Sequence, residues 1–285
     1  MPITSKFVCL NGRFIKEEEL SFDANNRAFR YGDGFFETMH YAKGQVQLFN
    51  LHLNRIEKTM QLLKLESNIL LNTRLLHKEI VHLINANHFF KGARIRISIF
   101  RDGDGLYLPN SNKANYLIET WALNAENYPI NNKGLHLETY NELTKVKSKN
   151  YFYKSLNTRV SILASLYKKE LEADDCFLLN SENEIIESIS SNVFFIKKNI
   201  LYTPSKSSGC VHGVMREKIL QTLSKTNLKI DENTSIKEEN IMQFDEIFLS
   251  NATQGIQWIG AYKTKRYDNK ITKQIQKILI ADIFS

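Results

Sequence analysis

The sequence predicts an α+β protein built in two halves. Short segments that alternate apolar and polar residues, separated by Asn–Gly and Lys–Gly pairs, are typical of antiparallel strands joined by tight turns. Longer segments with apolar residues three or four positions apart predict helices. Residues 122–133 are polar and include Pro129, which predicts a linker. We therefore expect an N-terminal domain over 1–121 and a C-terminal domain over 134–285.

The N-terminal domain is predicted to begin with a hairpin, because two apolar segments flank the Asn11–Gly12 pair. A loop near residues 23–26 follows. Apolar residues at 51, 56, 60 and 63, and then at 75, 80, 83 and 84, give the spacing of two helices. The segment 94–100 alternates strictly, with an isoleucine at every second position on one face. The predicted strands are 7–10, 13–15, 35–41, 45–49, 94–100 and 116–121.

The C-terminal domain is predicted to mix strands and helices, with the helices on its outer faces. A polar turn at 181–183 is expected to join two paired strands. The predicted strands are 135–140, 176–179, 184–187, 193–196, 200–202, 246–250 and 256–261. The predicted helices are 155–171, 213–224 and one that begins near Thr272.

The composition is that of an ordinary soluble protein, with 42% apolar and 24% charged residues. The net charge of +7 is spread along the chain, so we expect solvated lysines, or a surface that attracts anionic substrates, and no nucleic-acid partner. No apolar stretch approaches a membrane span, and no membrane partner is expected. Cys9, Cys176 and Cys210 lack metal-ligand spacing, so we expect no metal site and reduced thiols in a cytoplasmic protein.

Lys154 lies just before a predicted helix and beside Phe152 and Tyr153. Removal from water lowers the pKa of a lysine amine and makes the free amine available to form an imine. A solvated lysine at a helix start is the alternative. Two segments downstream favour the chemical role.

The first of these segments ends a strand at Glu187 and continues through a polar turn to Asn192. A carboxylate there could hold the protonated ring nitrogen of a pyridine cofactor, or it could cap the turn. The second segment, Gly213 to Arg216, opens an amphipathic helix, whose first N–H groups are suited to a phosphate. Arg55, three residues after His52, is a further phosphate candidate or an exposed helix arginine.

These segments resemble the fold-type IV pyridoxal phosphate enzymes, which include the class IV aminotransferases and 4-amino-4-deoxychorismate lyase. The resemblance runs from the first hairpin to the strand of Trp258. The matching segments, in chain order, are FRYGDGFFET at 29–38, HLNR at 52–55, KSLN at 154–157, ESISSNVF at 187–194, GVMR at 213–216 and SNAT at 250–253.

The resemblance implies a two-domain fold like that of D-amino acid aminotransferases, with a small N-terminal α/β domain and a larger C-terminal domain with a mixed sheet. It implies pyridoxal 5'-phosphate as cofactor and a homodimer whose partner helps to wall the site. Lys154 would carry the cofactor as an aldimine and move the proton at the substrate α-carbon, and Glu187 would bind the ring nitrogen. The other implied cofactor contacts are Arg55, Asn192, Gly213, Val214, Met215 and Thr253.

Substrate recognition is predicted less directly. Arg96 is the best candidate for a carboxylate contact, because its strand resembles a substrate-facing strand of the family. The arginines could instead form surface ion pairs, and the tyrosines could simply pack. The remaining candidates are Arg30, Arg101, Tyr31, Glu37 and Tyr107.

The family implies two reactions that share their first steps. KSLN at 154–157 resembles D-amino acid aminotransferases, whereas GVMR at 213–216 and the loop from Asn251 to Gln254 resemble the lyase. Thr158 and Arg159 stand where branched-chain enzymes carry a tyrosine. We expect an aminotransferase that moves an amino group between an amino acid and a 2-oxo acid. The alternatives are the lyase, which releases pyruvate and 4-aminobenzoate in the folate pathway, and a non-catalytic basic binding protein on the same fold.

Overall fold

The computed structural model describes residues 6–67, 72–148, 150 and 152–284 of the chain. The chain divides into two compact units. The first unit contains Met1–Asn127 and Tyr153–Asn157, and the second contains Tyr128–Phe152 and Thr158–Ser285. The segment Tyr153–Asn157, which carries the candidate lysine, therefore groups with the first unit although it lies inside the predicted range 134–285.

The first unit is a six-stranded antiparallel sheet with two long helices against one face. Its strands are β1 (Phe7–Leu10), β2 (Arg13–Lys16), β3 (Gly34–Ala42), β4 (Gln45–Val46), β5 (Gly92–Arg101) and β6 (Ala114–Ala122), and its helices are α1 (Arg27–Tyr31), α2 (Phe49–Leu63) and α3 (Thr73–Ala86). The strand order is β2-β1-β6-β5-β3-β4.

The core of the first unit lies between the sheet and helices α2 and α3. The alternation in β5 turns Ile95, Ile97 and Ile99 to this core, where all three are fully buried. Ile56 of α2 and Ile80 of α3 belong to the same apolar cluster. The other face of β5 carries Arg94, Arg96 and Ser98, as predicted from the alternating pattern.

Two local predictions for this unit are corrected. The strand expected at 45–49 ends at Val46, because helix α2 already begins at Phe49. The short helix α1 was not predicted. The Asn26 side chain caps it by accepting hydrogen bonds from the N–H groups of Ala28 and Phe29, and Gly32 ends it in the left-handed conformation.

The second unit is built on a nine-stranded mixed sheet. Its strands are β7 (Leu135–Lys145), β8 (Asp175–Asn180), β9 (Ile185–Ser188), β10 (Asn192–Lys197), β11 (Ile200–Tyr202), β12 (Lys229–Asp231), β13 (Glu246–Asn251), β14 (Gly255–Tyr262) and β15 (Lys265–Arg266), and its helices are α4 (Arg159–Glu170), α5 (Val214–Leu223) and α6 (Lys270–Ile283). The order is β12-β11-β10-β13-β14-β7-β8-β9, and β15 pairs with β14.

Parallel pairs join β11 to β12, β14 to β7 and β7 to β8, and the other neighbours are antiparallel. The main core gathers aromatic and branched side chains such as Phe177, Phe195, Ile247 and Ile259. The predicted α+β class with a mixed sheet in the C-terminal half is confirmed. Among the described residues, no helix combines the length and apolar composition needed to cross a membrane.

The helix expected over 155–171 begins only at Arg159. The preceding residues are extended because they pair with β3. The Phe36 N–H donates to the carbonyl of Lys154 at 2.8 Å, and the Leu156 N–H donates to the carbonyl of Gly34 at 3.2 Å. Ser155 forms the bridge opposite Phe35, so this segment lies along the edge of β3.

Candidate active site

Lys154 lies on the sheet face of the first unit that is opposite to the core. Its backbone pairs with Phe36, so the two side chains project from the same face. The Lys154 Nζ lies 5.2 Å from the centre of the Phe36 ring, within the range of a cation–π contact. The lysine amine is therefore held at a defined place on this face.

Arg96 contacts the same aromatic ring. Its guanidinium carbon lies 3.9 Å from the centre of the Phe36 ring, its Nε donates to Ser98 Oγ at 3.1 Å, and Glu119 lies 4.0 Å away. Burial lowers the pKa of Arg96, while the Glu119 carboxylate opposes that shift. The structure thus brings Lys154 and Arg96 together around one phenylalanine.

Arg94 repeats this arrangement two residues away on β5. Its guanidinium carbon lies 5.1 Å from the Trp121 ring centre, and burial lowers its pKa as well. Burial raises the pKa of Glu119, which is the acidic neighbour of both arginines.

On the core face of the same sheet, Glu37 holds Arg55 and His52 of helix α2. Arg55 Nε donates to Glu37 Oε1 at 2.6 Å, Arg55 Nη2 donates to Oε2 at 2.7 Å, and His52 Nδ1 lies 2.8 Å from Oε2. Glu37 and His52 are each 1% exposed and Arg55 is 7% exposed. The bidentate pair fixes the plane of the guanidinium.

The charges in this group are set by their surroundings. Burial opposes ionisation of Glu37, but the charge of Arg55 and the hydrogen bonds from His52 and Arg55 lower the pKa of Glu37 to about 2. Burial lowers the pKa of His52, against the opposing effect of the Glu37 carboxylate. A neutral His52 that donates to an ionised Glu37 is the state these shifts favour. Glu37 was predicted to bind substrate, and its geometry instead favours positioning Arg55.

In the second unit, Glu187 lies at the edge of the sheet, in β9, and is 5% exposed. Its Oε1 accepts a hydrogen bond from the ammonium of Lys145, at the end of β7. Its Oε2 accepts from the N–H of Val211 at 2.9 Å. The Lys145 ammonium and the Val211 N–H thus fix the orientation of the Glu187 carboxylate.

The turn after Glu187 is held by a partly buried aspartate. Asp175 accepts hydrogen bonds from Ser188 Oγ at 2.9 Å and from the N–H of Ile189 at 3.2 Å. The Ser188 N–H also donates to the carbonyl of Ser191 at 2.8 Å, which closes the turn. Burial raises the pKa of Asp175. These contacts fix the backbone that links Glu187 to Asn192.

Asn192 connects this turn to the start of helix α5. Its Nδ2 donates to the carbonyl of Val211 at 2.7 Å. A Cβ at Gly213 would lie 1.9 Å from Asn192 Oδ1, so any other residue at this position would require the Asn192 amide to move. The N–H groups of Val214 and Met215 are in the first turn of α5, where they have no acceptor within the helix.

Thr253 lies in the turn between β13 and β14. Its N–H and its Oγ1 both lie 3.1 Å from Asn251 Oδ1, and Asn251 Nδ2 donates to Ser191 Oγ at 3.0 Å. Asn192 is paired with Ser250 across the sheet. The second unit therefore brings together the predicted residues Glu187, Asn192, Gly213, Val214, Met215 and Thr253.

The other predicted residues lie elsewhere in the first unit. Arg30 is exposed, and its Nε donates to the carbonyl of Ala24. The Tyr31 ring lies 5.8 Å from the ring of Tyr107, which is 90% exposed. Arg101 is corrected as a candidate carboxylate contact. It is 8% exposed and donates to Asp33, Asn112 and the carbonyls of Leu63 and Lys64.

Sequence reasoning did not assign a role to Lys145, Asp175 or Phe36. Lys145 falls in a lysine-rich segment that reads as solvated, and Asp175 opens an apolar strand. Lys145 contacts Glu187, forty-two positions away, and Asp175 contacts Ser188, thirteen positions away. No local sequence pattern reveals such pairs.

Comparisons with known proteins show the family to which the chain belongs. A family model described as amino-transferase class IV matches residues 34–262, from the first residue of β3 to the last residue of β14. A D-alanine aminotransferase of Bacillus licheniformis is 24% identical over 258 residues, which cover 86% of this chain and 84% of that protein. An aminodeoxychorismate lyase of Bacillus subtilis is 25% identical over 256 residues, with 86% and 83% covered.

Solved structures share the fold. A branched-chain aminotransferase of Thermoproteus uzoniensis, solved with norvaline, has a TM-score of 0.86 at 22% identity and covers 96% of this chain and 93% of its own. A branched-chain amino acid aminotransferase of Thermobaculum terrenum in its PLP form has a TM-score of 0.83 at 21% identity, with 99% and 94% covered. The fold is that of the fold-type IV aminotransferases, and the relatives are enzymes. With a family model matched over most of its length, the chain belongs to the class IV aminotransferases.

Proposed function

We propose that the chain is a pyridoxal phosphate-dependent aminotransferase, which moves an amino group between an amino acid and a 2-oxo acid. The observation that carries this proposal is the pair of Lys154 and Arg96 around the ring of Phe36. In the substrate of such an enzyme the reacting carbon is bonded to a carboxylate. Every amino acid and every 2-oxo acid has that structure. A cation beside the lysine amine can bind that carboxylate while the amine acts on the reacting carbon.

The residues of the chain fit pyridoxal phosphate. Lys154 is an amine for the aldehyde, and Glu187 is a buried carboxylate for the ring nitrogen. The first turn of α5, opened by Gly213, offers the N–H groups of Val214 and Met215 to a phosphate. Asn192 supports that turn through the carbonyl of Val211.

When bound, pyridoxal phosphate supplies an aldehyde that condenses with amines and a protonated ring that accepts electrons. Lys154 would hold the aldehyde carbon of the cofactor, and its amine would move the proton at the substrate α-carbon. The Glu187 carboxylate would hold a proton on the ring nitrogen. Arg55, oriented by Glu37, would be a phosphate contact from the first unit, and the Thr253 hydroxyl and the start of α5 would be phosphate contacts from the second.

Arg96 binds the carboxylate of the substrate. Its stacking on Phe36 and its hydrogen bond with Ser98 fix the guanidinium before the substrate arrives. Arg30, Tyr31 and Tyr107 stay as secondary candidates for substrate contact.

The lyase is a second candidate, and the turn after β13 favours it. Asn251 Nδ2 donates to Gln254 Oε1 at 2.8 Å, so the two residues that resemble the lyase are joined in one turn. The reaction would release pyruvate and 4-aminobenzoate from 4-amino-4-deoxychorismate with the same Lys154 and Glu187.

We further propose that the enzyme is a homodimer. The exposed apolar residues of the first unit support this state, because large apolar side chains grouped at a surface favour burial in an interface. The most exposed of them are Phe29 at 88%, Leu106 at 76%, Tyr107 at 90% and Leu108 at 86%. Light scattering of Leu106→Lys and Tyr107→Lys should show monomers where the unaltered chain is dimeric, and an unaltered chain that is monomeric rejects the proposal.

The function is tested with panels of D- and L-amino acids, each combined with a 2-oxo acid and the cofactor. Formation of the new amino acid, measured by chiral chromatography and lost in Lys154→Ala, supports the aminotransferase. Pyruvate and 4-aminobenzoate in equal amounts from 4-amino-4-deoxychorismate, without transamination, would instead identify the lyase. Product formation that persists in Lys154→Ala would overturn the role of this lysine.

A further inference from the structure

The carboxylate of Glu187 is paired with a cation of the chain itself. Its Oε1 binds the Lys145 ammonium, and its Oε2 binds the Val211 N–H. The Glu187 side chain is 7% exposed and that of Lys145 is 14% exposed. This partly buried ion pair differs from a surface pair, because an unpaired carboxylate at this site would be poorly solvated.

Lys145 reaches Glu187 because of an irregularity in the sheet. Tyr140 of β7, Leu178 of β8 and Glu187 of β9 lie in one row of paired residues. The register between β7 and β8 shifts after Tyr140, and Lys145 is paired with Asn180. A shift of register in a strand redirects the side chains that follow it. Here it brings the Lys145 ammonium to the Glu187 carboxylate.

Arg216, a buried cation of the second unit, binds partners other than Glu187. Arg216 is 2% exposed, and its Nη2 donates to Glu232 and to the carbonyl of Pro204, each at 2.9 Å. Lys145 is thus the cation that contacts the Glu187 carboxylate among the described residues of the second unit.

We propose that Lys145 is a positioning residue that acts as the counter-ion of Glu187 before the cofactor binds. It balances the charge of the carboxylate and, with the Val211 N–H, fixes its plane. Once the cofactor is bound, Lys145 shares this carboxylate with the protonated ring nitrogen. The counter-ion role stands on the contacts alone, whereas the sharing rests on the proposed function.

The counter-ion role is tested without cofactor by a double-mutant cycle of Lys145→Met and Glu187→Gln. Each single variant should lower the melting temperature, because each leaves one buried partner uncompensated. The double variant should melt no lower than Lys145→Met. Additive losses would overturn the role. Lys145→Arg keeps the charge and should melt close to the unaltered protein, so the cycle can be repeated with arginine if Lys145→Met fails to fold.

Lys147→Met is the matched control, because Lys147 binds Glu182 and Glu184 at a more exposed place. It should shift the melting temperature little, with or without Glu187→Gln.

The sharing is tested by the affinity for pyridoxal phosphate, measured by fluorescence titration of the cofactor-free proteins. In Lys145→Met the ring nitrogen supplies the missing positive charge, so the Kd should fall about tenfold relative to the unaltered protein. The rise in melting temperature on adding cofactor should be correspondingly larger. A purely structural lysine would lower the melting temperatures of both forms equally and leave the rise unchanged, which would overturn the sharing.

The two failures are distinguishable. If the unaltered protein binds no cofactor, the proposed function and the sharing are both rejected, while the double-mutant cycle still decides the counter-ion role. If the unaltered protein binds cofactor and the cycle is additive, only the inference on Lys145 is rejected.

Discussion

At the scale of single residues, the first unit uses its charged groups in two different ways. On the core face, Arg55 donates through Nε and Nη2 to both carboxylate oxygens of Glu37, so its orientation is fixed by the fold. On the opposite face, Arg96 stacks on Phe36 and keeps only a 4.0 Å contact with Glu119. The first arrangement suits an arginine with one fixed orientation. The second suits an arginine that can replace its contact with Glu119 by a contact with the carboxylate of a substrate.

Glu37→Gln tests whether Glu37 positions Arg55. The variant leaves the buried Arg55 without its counter-charge, so the free energy of unfolding should fall by about 3–5 kcal/mol. The affinity for pyridoxal phosphate should also fall, because Arg55 is no longer oriented. Chemical denaturation and cofactor titration measure the two effects. Glu57→Gln is the control, since Glu57 is exposed on the same helix. Unchanged affinity in a folded Glu37→Gln would contradict the positioning role.

Arg96→Gln should weaken substrate binding. A hydrogen bond to a charged group contributes about 1.5–3 kcal/mol, so the KM for the amino acid should rise about tenfold to a hundredfold. Arg94→Gln is the matched control, because Arg94 stacks on Trp121 on the same strand and face. Steady-state kinetics measure both variants. Equal effects of the two substitutions would remove the reason to assign the carboxylate contact to Arg96.

At the scale of elements, the position of Lys154 depends on β3. The extended segment of Lys154 and Leu156 pairs with the first residues of this strand, beside Gly34. A Cβ at Gly34 would lie 2.3 Å from the carbonyl oxygen of Ile99 and 2.9 Å from Leu156 Cδ1. Glycine at this position therefore allows β3 to lie between β5 and the lysine segment.

Gly34→Ala should loosen this pairing. We expect the free energy of unfolding to fall by about 1–3 kcal/mol, as for other overpacked sites. The amides of Phe36 and Leu156 should exchange with solvent faster, which hydrogen-exchange mass spectrometry measures. Gly44→Asn is the control, because no atom lies within 4 Å of the added Cβ and asparagine tolerates the positive φ of Gly44. Unchanged exchange at both amides in Gly34→Ala would show that the lysine segment is positioned by other contacts.

The elements that the sequence predicts well are those with a local signal. The alternation of isoleucines in 94–100 and the Asn11–Gly12 turn correspond to β5 and to the β1–β2 hairpin. The start of α4 could not be predicted in the same way. Ser155 is extended because it pairs with Phe35, more than a hundred residues away, and its own neighbours do not signal this pairing.

The same distinction applies to the site. Lys154, Glu187 and the glycine start of α5 belong to contiguous motifs, so the sequence predicts them as candidates. The partners that orient them come from distant strands. Lys145 reaches Glu187 after a shift in the register of β7, and its sequence context is typical of a solvated lysine. Contacts of this kind depend on sheet register, which single-sequence patterns do not contain.

At the scale of the whole molecule, two buried groups predict how stability depends on pH. Burial lowers the pKa of His40 to about 4, against a hydrogen bond with the Ala125 backbone that raises it. The unfolded chain therefore binds this proton more readily. The stability contributed by neutral His40 is complete above about pH 6.5 and is lost as the pH falls towards 4. Ionised Glu37 contributes stability above about pH 4.5 that is lost as the pH falls towards 2.

The free energy of unfolding should therefore fall in two successive windows during acid titration. Denaturation with urea at pH values between 7 and 3 measures this dependence. His40→Asn should reduce the loss in the upper window, where the difference in the pKa of His40 corresponds to about 3 kcal/mol, and leave the lower window unchanged. The loss that remains in the upper window comes from His52, whose pKa burial also lowers. A free energy of unfolding that stays constant between pH 6.5 and 5 would contradict the burial of a neutral His40.

The central claim is that Lys154 is the amine that binds the cofactor. The most direct measurement is to reduce the protein with sodium borohydride in the presence of pyridoxal phosphate and to locate the modified lysine by peptide mass spectrometry. We predict one stable phosphopyridoxyl group per chain, on the peptide that contains Lys154, and none in Lys154→Ala. Modification of a different lysine, with Lys154 unmodified, would contradict the account.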